Sequence, residues 1–189
     1  TLSNMIQHGL SVRKGVIKSL LVVDMPKNTY NSTHDAVKNA KLILKNTKCD
    51  AVKIESNYKN SNIIRSLVKA KIPVMGHTGY TPQFKSRFKV AGKTIFERDK
   101  LIQDALKIEK AGAFSIVLEC IIPSTAKKIT DALKIPTIGI GSSLYCDGQI
   151  LVTDDILGLS GFYPKFVKKY VNLNATIEKA VKKYSKEII

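Results

Sequence analysis

A chain of 189 residues with 44% apolar side chains suits one domain with a substantial core and is too apolar for a disordered segment. Its apolar stretches fall far short of the roughly 20 residues that cross a bilayer, and the first residues lack the apolar centre of a signal peptide, so a soluble cytoplasmic protein with no membrane partner is expected. The formal charge of +16 raises nucleic acid, yet only four of the 31 basic residues are Arg, and lysines spread over every predicted helix read as solvated faces rather than phosphate clamps, so no nucleic-acid partner is expected.

In chain order, residues 20–23 form a short apolar run that delivers Asp24. Ser32-Thr33-His34-Asp35 then reads as a capping-box-like start, after which Ala36, Val37, Ala40, Ile43 and Leu44 recur at helical spacing. A second run, 51–54, carries Lys53 and delivers Glu55; residues 60–69 follow with Ile63, Ile64, Leu67 and Val68 on one helical face. The run 72–75 delivers Gly76-His77, and residues 97–110 carry Leu101, Ile102, Ala105, Leu106 and Ile108. The run 114–118 delivers Glu119, residues 124–133 carry Ala126, Ile129, Ala132 and Leu133, and the run 135–138 delivers Gly139-Ile140-Gly141. A weaker sixth run spans 149–152. Residues 165–186 interleave lysines with Val167, Ile177, Val181 and Tyr184, the pattern of an amphipathic helix with a basic outer face.

Strands that alternate with helices and are continuously apolar belong to parallel βα units buried on both faces. An open doubly wound sheet and part of a closed barrel both satisfy that pattern, and periodicity does not choose between them. The whole chain, 1–189, reads as a single domain. Gly139-Ile140-Gly141 lacks the spacing of a dinucleotide-binding fingerprint, and no Walker motif is present.

In parallel folds the carboxyl ends of the strands form one rim, so the polar residues ending these runs converge. Lys53 and Glu55 are two apart on a strand and share a face, either to serve a ligand or as a structural ion pair. Asp24, followed by the stiff Pro26, is a candidate oxygen ligand for a hard cation such as Mg²⁺ or a turn former. Glu119, at the end of Ser115-Ile116-Val117-Leu118, is a candidate general base or a buried carboxylate with a Lys partner. His77 sits in Gly76-His77-Thr78-Gly79, where glycines permit close backbone approach to a ligand or simply form the loop. The three cysteines, Cys49, Cys120 and Cys146, form no CxxC pair, so neither a disulfide framework nor a thiolate zinc site is indicated. Cys120, beside Glu119, reads as a small buried filler rather than a nucleophile.

With those residues in hand, the chain resembles the ketopantoate hydroxymethyltransferase family. The resemblance rests on ordered blocks: Leu21-Val22-Val23-Asp24-Met25-Pro26, Ala51-Val52-Lys53-Ile54-Glu55, Pro73-Val74-Met75-Gly76-His77-Thr78-Gly79, Thr81-Pro82-Gln83, Val117-Leu118-Glu119, Ile135-Pro136-Thr137-Ile138-Gly139-Ile140-Gly141 and Cys146-Asp147-Gly148-Gln149. It implies an α/β fold, a (β/α)₈ TIM barrel of the phosphoenolpyruvate/pyruvate type, with six of the eight strands in this chain. It also implies transfer of a one-carbon unit from the co-substrate 5,10-methylenetetrahydrofolate to 3-methyl-2-oxobutanoate through a Mg²⁺-stabilised enolate, giving 2-dehydropantoate. In the roles so implied, Glu119 is the proton acceptor, Asp24, Lys53 and His77 contact the small-molecule substrate, and Asp24 and Glu55 are the metal carboxylates. A homo-oligomer is implied too, since family members are often decameric.

The departures define the rival readings. Family members begin with two further strands, the second ending in a Gly-Asp-Ser turn that binds metal and substrate, and Thr1-Leu2-Ser3-Asn4-Met5 aligns with the helix after it, so the expectation is an N-terminally incomplete barrel. A glycine-poor loop at 84–88 and Ser56-Asn57 after Glu55 also differ from the family pattern. The rivals are another Mg²⁺-dependent enolate-forming enzyme of the same superfamily and a catalytically dead barrel remnant.

Overall fold

The computed structural model of the chain describes residues 1–56, 60–161, 164 and 166–188; Asn57, named above, and Lys165, the first residue of the 165–186 segment, lie outside them. Two compact units are present, Thr1–Gln149 and Ile150–Ile189.

In the first unit, strands and helices alternate: α1 (Leu2–Gly15), β1 (Val22–Asp24), α2 (Thr33–Thr47), β2 (Ala51–Lys53), α3 (Ser61–Lys69), β3 (Val74–Gly79), α4 (Ile95–Lys110), β4 (Ser115–Glu119), α5 (Pro123–Ala132), β5 (Thr137–Ile140) and β6 (Gly148–Gln149). The helices begin where capping chemistry allows. Ser32 Oγ accepts the Asp35 N–H at 3.0 Å and opens α2. Thr94 Oγ1 accepts the Glu97 N–H at 3.1 Å, and Glu97 Oε2 reaches back to the Lys93 N–H at 3.0 Å, closing a reciprocal cap on α4 two residues before the segment read from periodicity. Lys48, in the left-handed conformation with φ 54°, ends α2 by donating its N–H to Leu44 O.

All the strand pairs are parallel, and the spatial order is β1-β2-β3-β4-β5-β6, the same as the chain order. That order decides what periodicity left open. A doubly wound sheet reverses its strand order at a switch point, whereas a sheet that advances by one strand per βα unit is the wall of a (β/α)₈ barrel. Six consecutive strands of such a wall are present among the described residues.

The core lies between this wall and its helices. Ile43 of α2, Ile64 and Leu67 of α3, Ile108 of α4 and Ile129 of α5 are fully buried against Val52, Val74, Ile116 and Leu118 of the strands. Burying one such side chain stabilises the fold by about 1.5–3 kcal/mol. Leu106, read as part of the α4 core face, is only half-buried, and Asp104 is buried on that helix instead. Gly76 explains how closely α4 approaches: a Cβ there would lie 2.4 Å from Ile108 Cγ2.

The last strand differs from its sequence-based bounds. The apolar pattern predicts an extended segment over 149–152, yet β6 is confined to Gly148–Gln149 and pairs with Ile138 and Gly139. Asp147 Oδ2 accepts both the N–H (2.8 Å) and the hydroxyl (2.9 Å) of Thr137, which pins the start of β6 to the start of β5.

The second unit holds α6 (Thr153–Leu157) and α7 (Leu173–Glu187). The amphipathic segment expected over 165–186 is helical only from Leu173, because Asn172 Oδ1 accepts the Ala175 N–H and caps the helix there. Its apolar positions Ile177, Val181 and Tyr184 are exposed.

Candidate active site

Parallel register carries the polar strand-end residues onto one rim. Asp24 pairs in register with Lys53 across β1 and β2, and Glu119 with Gly79 across β4 and β3. The backbone beyond β2 stays bonded to β3, Ile54 N–H to Met75 O (3.1 Å) and Ser56 N–H to His77 O (2.9 Å), so strand alternation continues through Glu55 and keeps it on the face of Lys53.

Four of the expected site residues form one unbroken line across four adjacent strands. Lys53 Nζ lies 2.9 Å from Asp24 Oδ1 and 3.3 Å from His77 Nδ1. His77 Nε2 in turn lies 3.2 Å from Glu119 Oε2. Exposure rises toward both ends: side-chain accessibility is 3% at His77 and 13% at Lys53, but 21% at Glu119 and 42% at Asp24. The two carboxylates therefore open toward solvent, and the cation and the imidazole between them are withdrawn. Nε2 is near Glu119 without hydrogen-bond alignment, which leaves this buried ring nitrogen without a hydrogen-bond partner among the described residues.

Glu55 stands apart from that line. It is 3% exposed, and burial pushes its carboxyl pKa up, against the opposing pull of His77 and of the Gln83 N–H that Oε2 accepts at 2.9 Å. Gln83 is a junction that sequence reasoning quoted in a motif and gave no role. Its Oε1 accepts the Tyr30 hydroxyl at 2.6 Å and its Nε2 donates to Met25 O at 3.0 Å, so the loop after β3 is tied to the segment after β1 and to Glu55 together. Burial, then the Glu55 carboxylate, pushes the Tyr30 hydroxyl well above its ordinary pKa, keeping it a donor. No local pattern marks Tyr30 or Gln83, because their bonds join residues 53 and 58 positions apart.

The glycines flanking His77 serve packing and chain reversal. Gly76 admits α4, and Gly79, at φ +102°, turns the chain where a Cβ would lie 2.2 Å from Glu119 O. The next residue, Tyr80, donates its N–H to that same oxygen at 2.8 Å. Ser142, after β5, donates to Leu118 O (2.6 Å) and accepts the Ile121 N–H (3.1 Å), holding the backbone on both sides of Glu119. Cys120 is buried, and burial together with Glu119 pushes its thiol up to about 11, which suits a filler and not a thiolate nucleophile.

Asp24 and Glu55 are hard oxygen donors on adjacent strand ends, and no group of three or more His, Cys, Asp or Glu side chains that could hold a metal occurs among the described residues. Two carboxylates fit Mg²⁺, which keeps several waters and takes one or two protein carboxylates plus substrate oxygens. Glu55 in particular is buried, and it is this burial that raises its carboxyl pKa, against the pull of His77, the Gln83 N–H and Lys53.

Two carboxylates, a lysine and an imidazole on the rim of a parallel barrel wall set the class of protein, a (β/α)₈-type barrel. The solved structure of 2,3-dimethylmalate lyase, a PEP mutase/isocitrate lyase superfamily member, matches with a TM-score of 0.62 at 16% identity over 100% of this chain and 68% of that one; at that identity the likeness establishes the fold. Sequence comparison is more specific. The family model described as ketopantoate hydroxymethyltransferase matches residues 1–189. The 3-methyl-2-oxobutanoate hydroxymethyltransferases of Pelagibacter ubique and Heliobacterium modesticaldum are 53% and 47% identical, covering 100% of this chain and 74% and 70% of their own lengths. The chain belongs to the ketopantoate hydroxymethyltransferase family.

Proposed function

We propose that this chain transfers a hydroxymethyl group to 3-methyl-2-oxobutanoate. The methylene carbon of 5,10-methylenetetrahydrofolate bonds to C3 of the 2-oxo acid, water supplies the hydroxyl oxygen, and 2-dehydropantoate and tetrahydrofolate leave. The observation that supports the reading is the line Asp24–Lys53–His77–Glu119, in which an accessible carboxylate and a withdrawn lysine share one rim. Glu119 takes the C3 proton, and the electron pair left on carbon delocalises toward the 2-oxo group. The Lys53 ammonium adds positive charge beside the oxygen where negative charge develops. Asp24 and Glu55 are the residues that would hold Mg²⁺, whose charge, when bound, acidifies C3 through the 2-oxo group. Glu55 is set for this by Gln83, which holds one of its oxygens.

No helix among the described residues is long and apolar enough to cross a membrane. Cys49, Cys120 and Cys146 are free and buried, which suits a reducing compartment, and we place the reaction in the cytoplasm.

The test is tetrahydrofolate formation from both substrates before chelation, after exhaustive chelation and after Mg²⁺ is restored. Activity should disappear with the chelator and return with the metal. Undiminished turnover in chelated buffer removes the metal role of Asp24 and Glu55; no tetrahydrofolate under any condition removes the reaction.

A further inference from the structure

The buried imidazole of His77 is the one member of the rim whose chemistry the reaction above leaves undefined. Its residue is 2% exposed, its carbonyl is held by the Ser56 N–H at 2.9 Å, and its ring lies between Lys53 and Glu119. A lysine side chain can only donate a hydrogen bond, so the 3.3 Å contact from Lys53 Nζ makes His77 Nδ1 the acceptor. The proton of the neutral ring is then on Nε2. That N–H is enclosed and unpartnered among the described residues, and the nearest acidic oxygen, Glu119 Oε2, is 3.2 Å away and out of line. A buried donor without an acceptor is unfavourable, and Glu119 Oε2 is the acidic oxygen within reach to accept from it.

We infer that His77 is a positioning residue: held as the Nε2–H tautomer by Lys53, it pins one oxygen of Glu119 so that the other faces the substrate carbon. This rests on the assignment of Glu119 as the base in the proposed reaction. Pinning matters because a carboxylate free to rotate presents each oxygen to carbon for only part of the time, and proton removal from carbon is sensitive to alignment. It also gives Lys53 a second task, since its ammonium sets the ring that sets the base.

Two measurements on the whole protein test this. Nitrogen-15 NMR of labelled histidine reads the tautomer directly and needs no turnover. The expected result is a pyridine-like Nδ1 and a pyrrole-like, protonated Nε2 for His77, with Lys53→Met releasing the preference; a protonated Nδ1 in the unaltered protein overturns the inference. The second measurement is solvent exchange of the C3 hydrogen of 3-methyl-2-oxobutanoate, with substrate affinity measured in parallel. His77→Gln places an amide N–H near the position of Nε2, whereas His77→Asn reaches only that of Nδ1. The asparagine variant should slow exchange by about 10²-fold or more, and the glutamine variant should be at least about tenfold faster than it, with substrate affinity held within about threefold in both. Equal rates in the two variants, or a loss that falls on affinity instead of rate, overturns the positioning role. If the unaltered protein does not exchange the C3 hydrogen, the proposed reaction fails, and the tautomer measurement still decides the state of His77.

Discussion

At the scale of single residues, Glu119 is the position where shape and proton affinity separate most cleanly. Glu119→Gln keeps the side-chain volume and the backbone bonds from Tyr80 N–H to Glu119 O and from Cys120 N–H to Ile140 O. It loses the carboxylate charge, and with it the role of base proposed above. Exchange of the C3 hydrogen of 3-methyl-2-oxobutanoate should therefore slow by on the order of 10²-fold or more with little change in affinity, read as loss of the C3–H signal in deuterated buffer. Unaltered exchange would move the base to another side chain, His77 first. Asp147 offers a test of a different kind. Its carboxyl pKa is lowered, first by the backbone N–H and then by the hydroxyl of Thr137. A group whose folded pKa lies below its unfolded value stabilises the fold above the unfolded pKa, near 3.9 for aspartate, and loses that contribution as pH falls through the folded pKa. Asp147→Asn should accordingly destabilise the protein at neutral pH, by about 1 kcal/mol for a side chain this open to solvent. The gap between variant and parent in urea midpoint should narrow as the pH is lowered beneath the ordinary aspartate range, through the lowered folded-state pKa of Asp147; a gap independent of pH would assign the cost to shape and not to charge.

At the scale of elements, β3 with α4 is the pair that sets the site, since β3 carries His77 and ends at the Gly79 turn beside Glu119. The tight point of that pair is Gly76 against Ile108, where a Cβ would meet Cγ2 at 2.4 Å. Gly76→Ala should cost about 1–3 kcal/mol by overpacking, and Ile108→Ala about 2–5 kcal/mol by leaving a cavity. Each change relieves the other, so the double variant should be less destabilised than the sum of the two. Denaturation midpoints of the three variants give the coupling directly, and strict additivity would show that the helix shifts away instead of clashing.

At the scale of the whole molecule, the property most open to experiment is charge. A formal charge of +16, carried mostly by lysines distributed over the helices, repels itself in the folded state, and added salt screens that repulsion. The melting temperature should rise as ionic strength increases from about 0.01 M to 0.5 M, over which the Debye length falls from roughly 30 Å to a few ångströms; a fall would show that specific ion pairs such as Arg13–Asp50 outweigh the net repulsion. The same molecule also separates what a sequence holds locally from what it does not. The alternation of strands and helices, the Ser32 cap, the buried faces of α2 and α3, and the polar residue closing each apolar run are legible by themselves, because helical period, strand period and capping act over a few neighbouring residues. From these alone Asp24, Lys53, Glu55, His77 and Glu119 are recognisable as rim residues. The ordered family blocks added a fold and a reaction to that list. What only the tertiary structure decided is which of them touch: sequential strand order makes the wall a barrel, and register sets Asp24, Lys53, His77 and Glu119 in one line while Glu55 turns to Gln83. Tyr30 went unmarked, and Gln83 appeared in a motif without a role, for the same physical reason. A hydrogen bond between residues 53 apart leaves no period in the chain, since it exists only once the strands between them have found their partners.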